Sequence, residues 1–192
     1  MSEVLAYSAH AMSRATPEGL LNNFVADLCF DIARDLYEPA DNQPIDFCLL
    51  NYGGLRASLP AGPVSMANVF ELMPFENEMV VVHLSAEKVL ELLDYLAESA
   101  VGMPVSGIRL KIADNRVEDV RIGGKAFDPE RTYKVLTSDY LAGGGDNMTF
   151  FLNPLDYELL GMRIRDAIIM HMREQHAKGQ EIESSLDGRI KY

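Results

Sequence analysis

Tyr133-Lys-Val-Leu-Thr-Ser-Asp-Tyr-Leu-Ala-Gly-Gly-Gly-Asp146 reads as a strand running into a glycine-rich turn. Tyr133 to Ser138 has the residues of a buried strand. An aromatic, Tyr140, follows, and three consecutive glycines then deliver the carboxylate of Asp146. Asn51-Tyr-Gly-Gly-Leu-Arg56 repeats this arrangement, since Ile45 to Leu50 reads as a buried strand that ends in glycines. Two strands ending in glycine turns, among helical segments, set the fold reading.

On the N-terminal side, Leu20, Leu21, Phe24, Val25, Leu28 and Ile32 form one apolar stripe of a helix that runs to about Leu36. Thr16 is read as its cap, Pro17 as its first residue, and Glu18 as favouring its positive end. Val4 to Ser8 reads as an edge strand, Glu38 to Pro44 as a loop, and Pro60 to Pro63 as a turn. Ser65 caps a short helix through about Leu72, and Met79 to Leu84 is a buried strand. Ser85 then caps a helix carrying Val89, Leu92, Leu93 and Leu96 on one side. Ile108 to Ile112 and Val117 to Ile122 alternate about a polar turn, which predicts an antiparallel hairpin. A helix from Met162 to Lys178 stops at Gly179, and Gly188 to Tyr192 closes the sheet. Because hairpins occur among the helices, the expected class is α+β, a mixed β-sheet packed with helices. No linker or repeat divides the chain, so residues 1–192 are expected to form a single domain.

Of the 192 residues, 48% are hydrophobic and 24% charged, enough apolar surface for one sizeable core. The 17 Lys and Arg against 29 Asp and Glu leave a net charge of −12, which repels a nucleic acid polymer. A small anionic ligand is still allowed, because a pocket needs only a few well-aimed cations. Cys29 and Cys48 lie in apolar stretches where a thiol behaves as a small buried hydrophobe. No basic, apolar leader is read at Met1-Ser-Glu-Val4 and no apolar run is long enough to cross a bilayer, so a soluble chain without a signal peptide is expected.

The four histidines, His10, His83, His171 and His176, form no dense cluster with carboxylates at fixed spacing, so no metal site is expected. A nucleophile elbow and a phosphate-cradling Gly-Lys-Ser/Thr loop are also missing from the sequence. Binding is better represented than catalysis. Gly53 and Gly54 let backbone approach a ligand, Asn51 offers a carboxamide, and Arg56 offers a planar cationic fork. Asp146, beside Gly145, can accept from ribose hydroxyls, and Tyr140 offers a flat face to a base. Phe75, in Leu72-Met-Pro-Phe-Glu-Asn77, sits behind a proline in a helix-to-strand loop. Taken singly, each segment also fits a plain alternative: a strand-end turn with a solvated arginine, a flexible glycine turn, and a phenylalanine packed into the core.

Asn51-x-Gly-Gly-x-Arg56, Leu72-x-Pro-Phe75, Tyr140-Leu-Ala-Gly-Gly-Gly-Asp146 and Gly188-Arg-Ile-Lys191 occur in that order. Together they resemble the C-terminal domain of the 5′-nucleotidase family, which includes UDP-sugar hydrolases and ecto-nucleotidases. Glu18, Asn23 and Asp27 also resemble the opening of that domain. The resemblance implies a base sandwiched between Phe75 and Tyr140, a ribose held by Asp146, and Asn51 and Arg56 facing the nucleotide. It also implies an arginine before the first helix that meets the phosphate, for which Arg14 is the nearest candidate although its spacing to Glu18 departs from the pattern.

The family further implies an N-terminal metallophosphoesterase domain with two divalent metal ions, and no such domain is read in these residues. This chain is then expected to bind no metal or cofactor itself and to have no catalytic residue. Its ligand would be a nucleoside 5′-monophosphate or related nucleotide. Its partner would be a separate metallophosphoesterase chain if the two halves are encoded apart, and its location, by analogy, periplasmic or extracellular. Two other readings remain open: a non-catalytic nucleotide sensor, and an interaction scaffold whose pocket has decayed.

Overall fold

The computed structural model describes residues 3–192. The first half contains β1 (Val4–Ser8), α1 (Leu20–Leu36), β2 (Phe47–Leu49), β3 (Gly62–Ser65), α2 (Met66–Leu72), β4 (Glu78–Ser85) and α3 (Ala86–Glu98). The second half contains β5 (Val105–Ser106), β6 (Ile108–Ala113), β7 (Arg116–Ile122), β8 (Lys125–Ala126), β9 (Thr132–Ser138), α4 (Asp139–Ala142), β10 (Asp156–Arg163), α5 (Ile164–Ala177) and β11 (Ile190–Lys191). The class is α+β, with mixed sheets packed with helices, as expected.

A five-stranded sheet of order β10-β4-β9-β2-β5 carries core on both faces. Alternate residues along each strand point to opposite sides. Cys48, Met79, Val81 and Leu136 join the side chains of α1, α2 and α5 in one core, whereas Phe47, Leu49, Val82, Leu84 and Val135 join α3 and the β6–β7 hairpin in the other. This explains why the strands read as nearly unbroken apolar runs. Both cysteines are free and fully enclosed, and burial pushes the Cys29 thiol up to about 12. Among the described residues two smaller sheets accompany it: the pair β1–β3, and β11-β6-β7-β8, in which β11 lies parallel to β6.

The first helix starts later than its apparent caps imply. Gly19 occupies the cap position and Leu20 is the first helical residue. The side chains that could have capped it serve distant backbone instead. Thr16 Oγ1 accepts from the Gly102 amide, and the Glu18 carboxylate accepts from the amides of Asp187 and Gly188 and from Asn23. Residues 62–65 are not a simple turn, because they pair antiparallel with β1 as a strand. Pro63 is tolerated there because the two-stranded sheet leaves edges that need no donor. The last long helix begins at Ile164, not Met162, and is preceded by an edge strand, β10, that the sequence pattern does not announce. Leu160 and Met162 on that strand pack against the core, but Tyr157 and Leu159 on the opposite face are exposed, so apolar residues on both faces hide its alternation. Ser65 and Ser85 do cap α2 and α3, Ser65 in a reciprocal box with Asn68.

The Gly188-Arg-Ile-Lys191 motif acts as a latch. Arg189 is nearly buried and donates to both carboxylate oxygens of Asp27 on α1 at 2.6 and 3.0 Å, to Asp187, and to the Val105 carbonyl. Burial opposes the Asp187 charge, but the hydrogen bonds and positive charge of Arg189 outweigh it and hold the carboxyl below its usual range. A carboxyl with a lowered folded pKa stabilises the fold above its unfolded pKa of about 3.9 and loses that contribution as pH falls through the folded value. Replacing Arg189 with Met is expected to cost about 2–3 kcal/mol in thermal or denaturant unfolding, less than a fully buried pair because the carboxylates can rehydrate. The stability gap between the native chain and Asp187→Asn should narrow below about pH 4. A gap that stays constant on acidification would contradict this account of the latch.

Candidate functional site

Parallel pairing places the ends of β2 and β9 at one edge of the central sheet, with Phe47 opposite Val135 and Cys48 opposite Leu136. Antiparallel pairing puts the start of β4 there as well, with Met79 opposite Ser138. The segment after β2, the turn after α4 and the loop before β4 therefore meet at this edge. They enclose a cleft of about 320 Å³. Asn51, Gly53, Gly54 and Arg56 line one part of it, and Phe75, Asn77, Tyr140 and Asp146 line the rest.

After β2, residues Tyr52–Gly54 make one tight helical turn, closed by the Gly54 amide on the Asn51 carbonyl at 3.1 Å. A Cβ at Gly54 would lie 2.8 Å from Asn51 Oδ1, so glycine makes room for that carboxamide. Arg56 is exposed, while its backbone amide is tied to Leu72 on α2. Phe75 follows α2 and is 41% exposed, so it is not a core phenylalanine.

The other wall begins with Ser138, whose hydroxyl caps α4. Asp139 accepts from the Glu78 amide at 3.1 Å and so ties this wall to the start of β4. Tyr140 projects from the first turn of α4 and is 47% exposed. Gly144 has φ 91° and Asp146 has φ 54°, so the chain reverses through left-handed conformations that glycine and aspartate accept more readily than most residues. A Cβ at Gly145 would lie 2.5 Å from the Tyr140 ring. Gly145 therefore serves as the floor beneath that ring without lining the cleft.

Asp146 is the hub of the site. Its Oδ1 accepts from the Tyr140 hydroxyl at 2.8 Å and its Oδ2 from Asn51 Nδ2 at 2.7 Å. The Tyr95 hydroxyl, from α3, donates to the Asp146 carbonyl at 2.8 Å. The bond from Tyr140 to Asp146, reinforced by the negative charge, holds the Tyr140 phenol above its usual pKa. Each carboxylate oxygen keeps lone-pair capacity for a further donor. The cleft thus offers two aromatic faces, one exposed guanidinium, one carboxylate and two carboxamides.

Arg14 does not line this cleft. Its guanidinium stacks 4.3 Å above the Tyr52 ring and donates to the Tyr52 carbonyl at 3.0 Å, bracing the glycine turn from outside. Asn77 and Tyr95 are the site residues that sequence reading missed. Neither belongs to a glycine turn: Asn77 is brought in by the pairing of β4 with β9, and Tyr95 by the packing of α3, from which its hydroxyl reaches the Asp146 carbonyl.

Sequence spacing also gave no sign that His83, Asp156 and Glu158 gather on one face of β4 and β10, with ligating atoms within 4.8 Å of one another. His83 Nε2 and the Tyr37 hydroxyl contact the same Glu158 oxygen at 2.8 and 2.7 Å. The group lies ~16 Å along β4 from the cleft end. A broader depression of about 600 Å³ at the end of α1 is lined by Asp31, Arg34, Asp35 and Tyr37 among others. Its charges are mixed, and no glycine turn enters it. No helix among the described residues is long and apolar enough to cross a membrane.

Comparison with known proteins gives concordant results. Residues 3–153 match the family model described as 5′-nucleotidase, C-terminal domain. Protein UshA of Escherichia coli K12 is 30% identical over 155 residues, which are 73% of this chain and 28% of that protein. The crystal structure of a 5′-nucleotidase precursor from Thermus thermophilus superposes with a TM-score of 0.83 at 26% identity, covering 98% of this chain and 39% of the other. A sulfate thiohydrolase from the same organism, SoxB, shares the fold at TM-score 0.72 and 16% identity, covering 98% and 35% of the two chains. The chain thus spans 39% or less of the length of these relatives.

The Asp146 hub can be tested without any ligand. Asp146→Asn removes the charge that raises the Tyr140 phenol and also contributes to raising Tyr95, so both tyrosines should titrate at lower pH in a phenolate titration followed residue by residue by NMR. An unchanged titration curve would contradict the hydrogen bond between Tyr140 and Asp146.

Proposed function

The chain belongs to the 5′-nucleotidase C-terminal domain family, and we propose accordingly that it is a nucleotide-recognition domain whose cleft takes a nucleoside 5′-monophosphate or a close relative. The observation that supports this most is the presence of two solvent-facing aromatic rings, Phe75 and Tyr140, in the same cleft as Asp146 and Arg56. An adenine or similar base stacks between the rings. Each stacked face contributes ~1–3 kcal/mol. Asp146 accepts from ribose hydroxyls, with Asn51 holding its other oxygen. Arg56 is the cation in the lining and meets the phosphate side. Gly53 and Gly54 let the ligand approach the backbone.

Hydrolysis belongs to a metal-bearing region outside these 192 residues, whether joined to them or on a separate chain. The cleft lining supplies one carboxylate and no imidazole or thiolate, a donor set that does not fit a pair of divalent ions. The two ions are assigned to that other region, because the three ligand atoms of His83, Asp156 and Glu158 lie away from the cleft and are too few to hold a pair. Within this chain, the residues bind and orient the nucleotide, which contributes to catalysis by positioning. The names of the relatives include 5′-nucleotidase, which favours nucleotide breakdown, and a periplasmic or extracellular setting is proposed by analogy with the family alone. Because SoxB has the same fold, the rings and Asp146 carry the case for a nucleotide more than the architecture does.

Calorimetric titration with adenosine and AMP, without added metal, should give saturable binding in the micromolar to millimolar range expected for two stacking faces after association costs. Phe75→Ala should weaken it at least ~5-fold, and Tyr140→Phe should keep most of it because the stacking face remains. Binding that survives loss of the Phe75 ring in a folded chain would refute the sandwich. No binding by the native chain would favour an interaction scaffold.

A further inference from the structure

Phe75 stands on a short loop, and an exposed ring on such a loop would ordinarily sample several positions before binding. The structure restricts this one from beneath. Arg165, in the first turn of α5, is 5% exposed, and its donors converge on the Phe75 loop. Nη1 donates to the carbonyls of Met73 at 3.3 Å and of Phe75 at 3.2 Å, and Nη2 pairs with the Glu76 carboxylate. The guanidinium also lies 4.3 Å from the centre of the Phe70 ring on α2. At the far end of the loop, the Ile164 amide donates to the Asn77 carbonyl at 2.9 Å. Arg163 holds the second oxygen of Glu76 at 2.8 Å. The loop is thereby fixed between α2 and the start of α5 by consecutive backbone and side-chain bonds. None of Arg163, Ile164 and Arg165 lines the cleft.

We propose that Arg165 is a positioning residue for base recognition: through the Met73 and Phe75 carbonyls and Glu76, it sets the Phe75 ring at the spacing from Tyr140 that admits a nucleobase. The proposal rests on the nucleotide reading above. A planar fork suits the task, because one guanidinium reaches two carbonyls and a carboxylate in a fixed geometry, which an ammonium point charge does not reproduce. Without it, binding must also supply the cost of ordering the loop and its ring.

The test is calorimetry on folded chains, comparing adenosine with ribose 5-phosphate, which lacks the base. Arg165→Met should weaken adenosine ~3–10-fold, the equivalent of ordering one side chain, while leaving ribose 5-phosphate unchanged. The same substitution made in a Phe75→Ala chain should have no further effect on adenosine, because the ring it positions is gone. Glu76→Gln, at an exposed position, removes the outer anchor without opening a buried hole and should give a smaller loss in the same direction. It carries the test if Arg165→Met does not fold. Native adenosine affinity in the Arg165→Met chain, or in Glu76→Gln where that is the only folded variant, overturns the proposal. An equal loss for ribose 5-phosphate, or an undiminished loss in the Phe75→Ala background, also overturns it by revealing general damage. If the native chain binds no adenosine while the Phe75 loop is equally ordered by hydrogen exchange, the nucleotide reading fails, and the positioning role fails with it. If Phe75→Ala loses binding and Arg165→Met does not, the positioning role fails alone.

Discussion

Parallel pairing of β2 with β9 is the constraint on which the site depends. Two strands that run the same way finish at the same edge of the sheet, so the segments that follow them must turn beside each other. Here those segments carry glycines, and the turns are joined across 95 positions of sequence by the bond from Asn51 to Asp146. The crevice beyond the carboxyl ends of parallel strands is the place where sheets of this kind commonly bind ligands. β4, antiparallel to β9, begins where β9 ends and adds the loop bearing Phe75 as a third wall.

The fold separates what holds the domain together from what lines the cleft. Glu18, Asp27, Asp187 and Arg189 form a charged network that fastens α1 to the last strand, with the arginine nearly buried and hydrogen-bonded at both ends. The family motif ending in Lys191 therefore has a structural explanation that needs no substrate. The cleft residues are the reverse case. Phe75, Tyr140 and Arg56 are exposed, and each sits on backbone that is anchored elsewhere: Phe75 by Arg165, Tyr140 by Asp139 and the Ser138 cap of α4, Arg56 by Leu72. Rigid backbone beneath exposed side chains lowers the ordering cost of binding.

Much of this was legible in the sequence, and the exceptions have physical causes. Buried strands and capped helices such as α2 and α3 follow from short-range patterns, and the glycine turns marked both walls of the cleft. Thr16 and Glu18 misled because a side chain with capping chemistry can serve any amide within reach, and tertiary partners at residues 102, 187 and 188 won. β10 escaped because exposed Tyr157 and Leu159 alternate with the half-buried Leu160 and Met162, which leaves no apolar/polar alternation to report. Tyr95 and Arg165 were invisible for a further reason. Their effect on the site runs through contacts with residues 51 and 90 positions away, which no local pattern encodes.

Closure of Phe75 and Tyr140 on one base is the central claim. Proton NMR during an adenosine titration tests it most directly, using assigned ring resonances of both residues. Both rings are predicted to shift along one saturation curve, upfield as stacking on a base requires, with the ribose protons reporting contact with Asp146. Saturable binding that moves neither ring would contradict it.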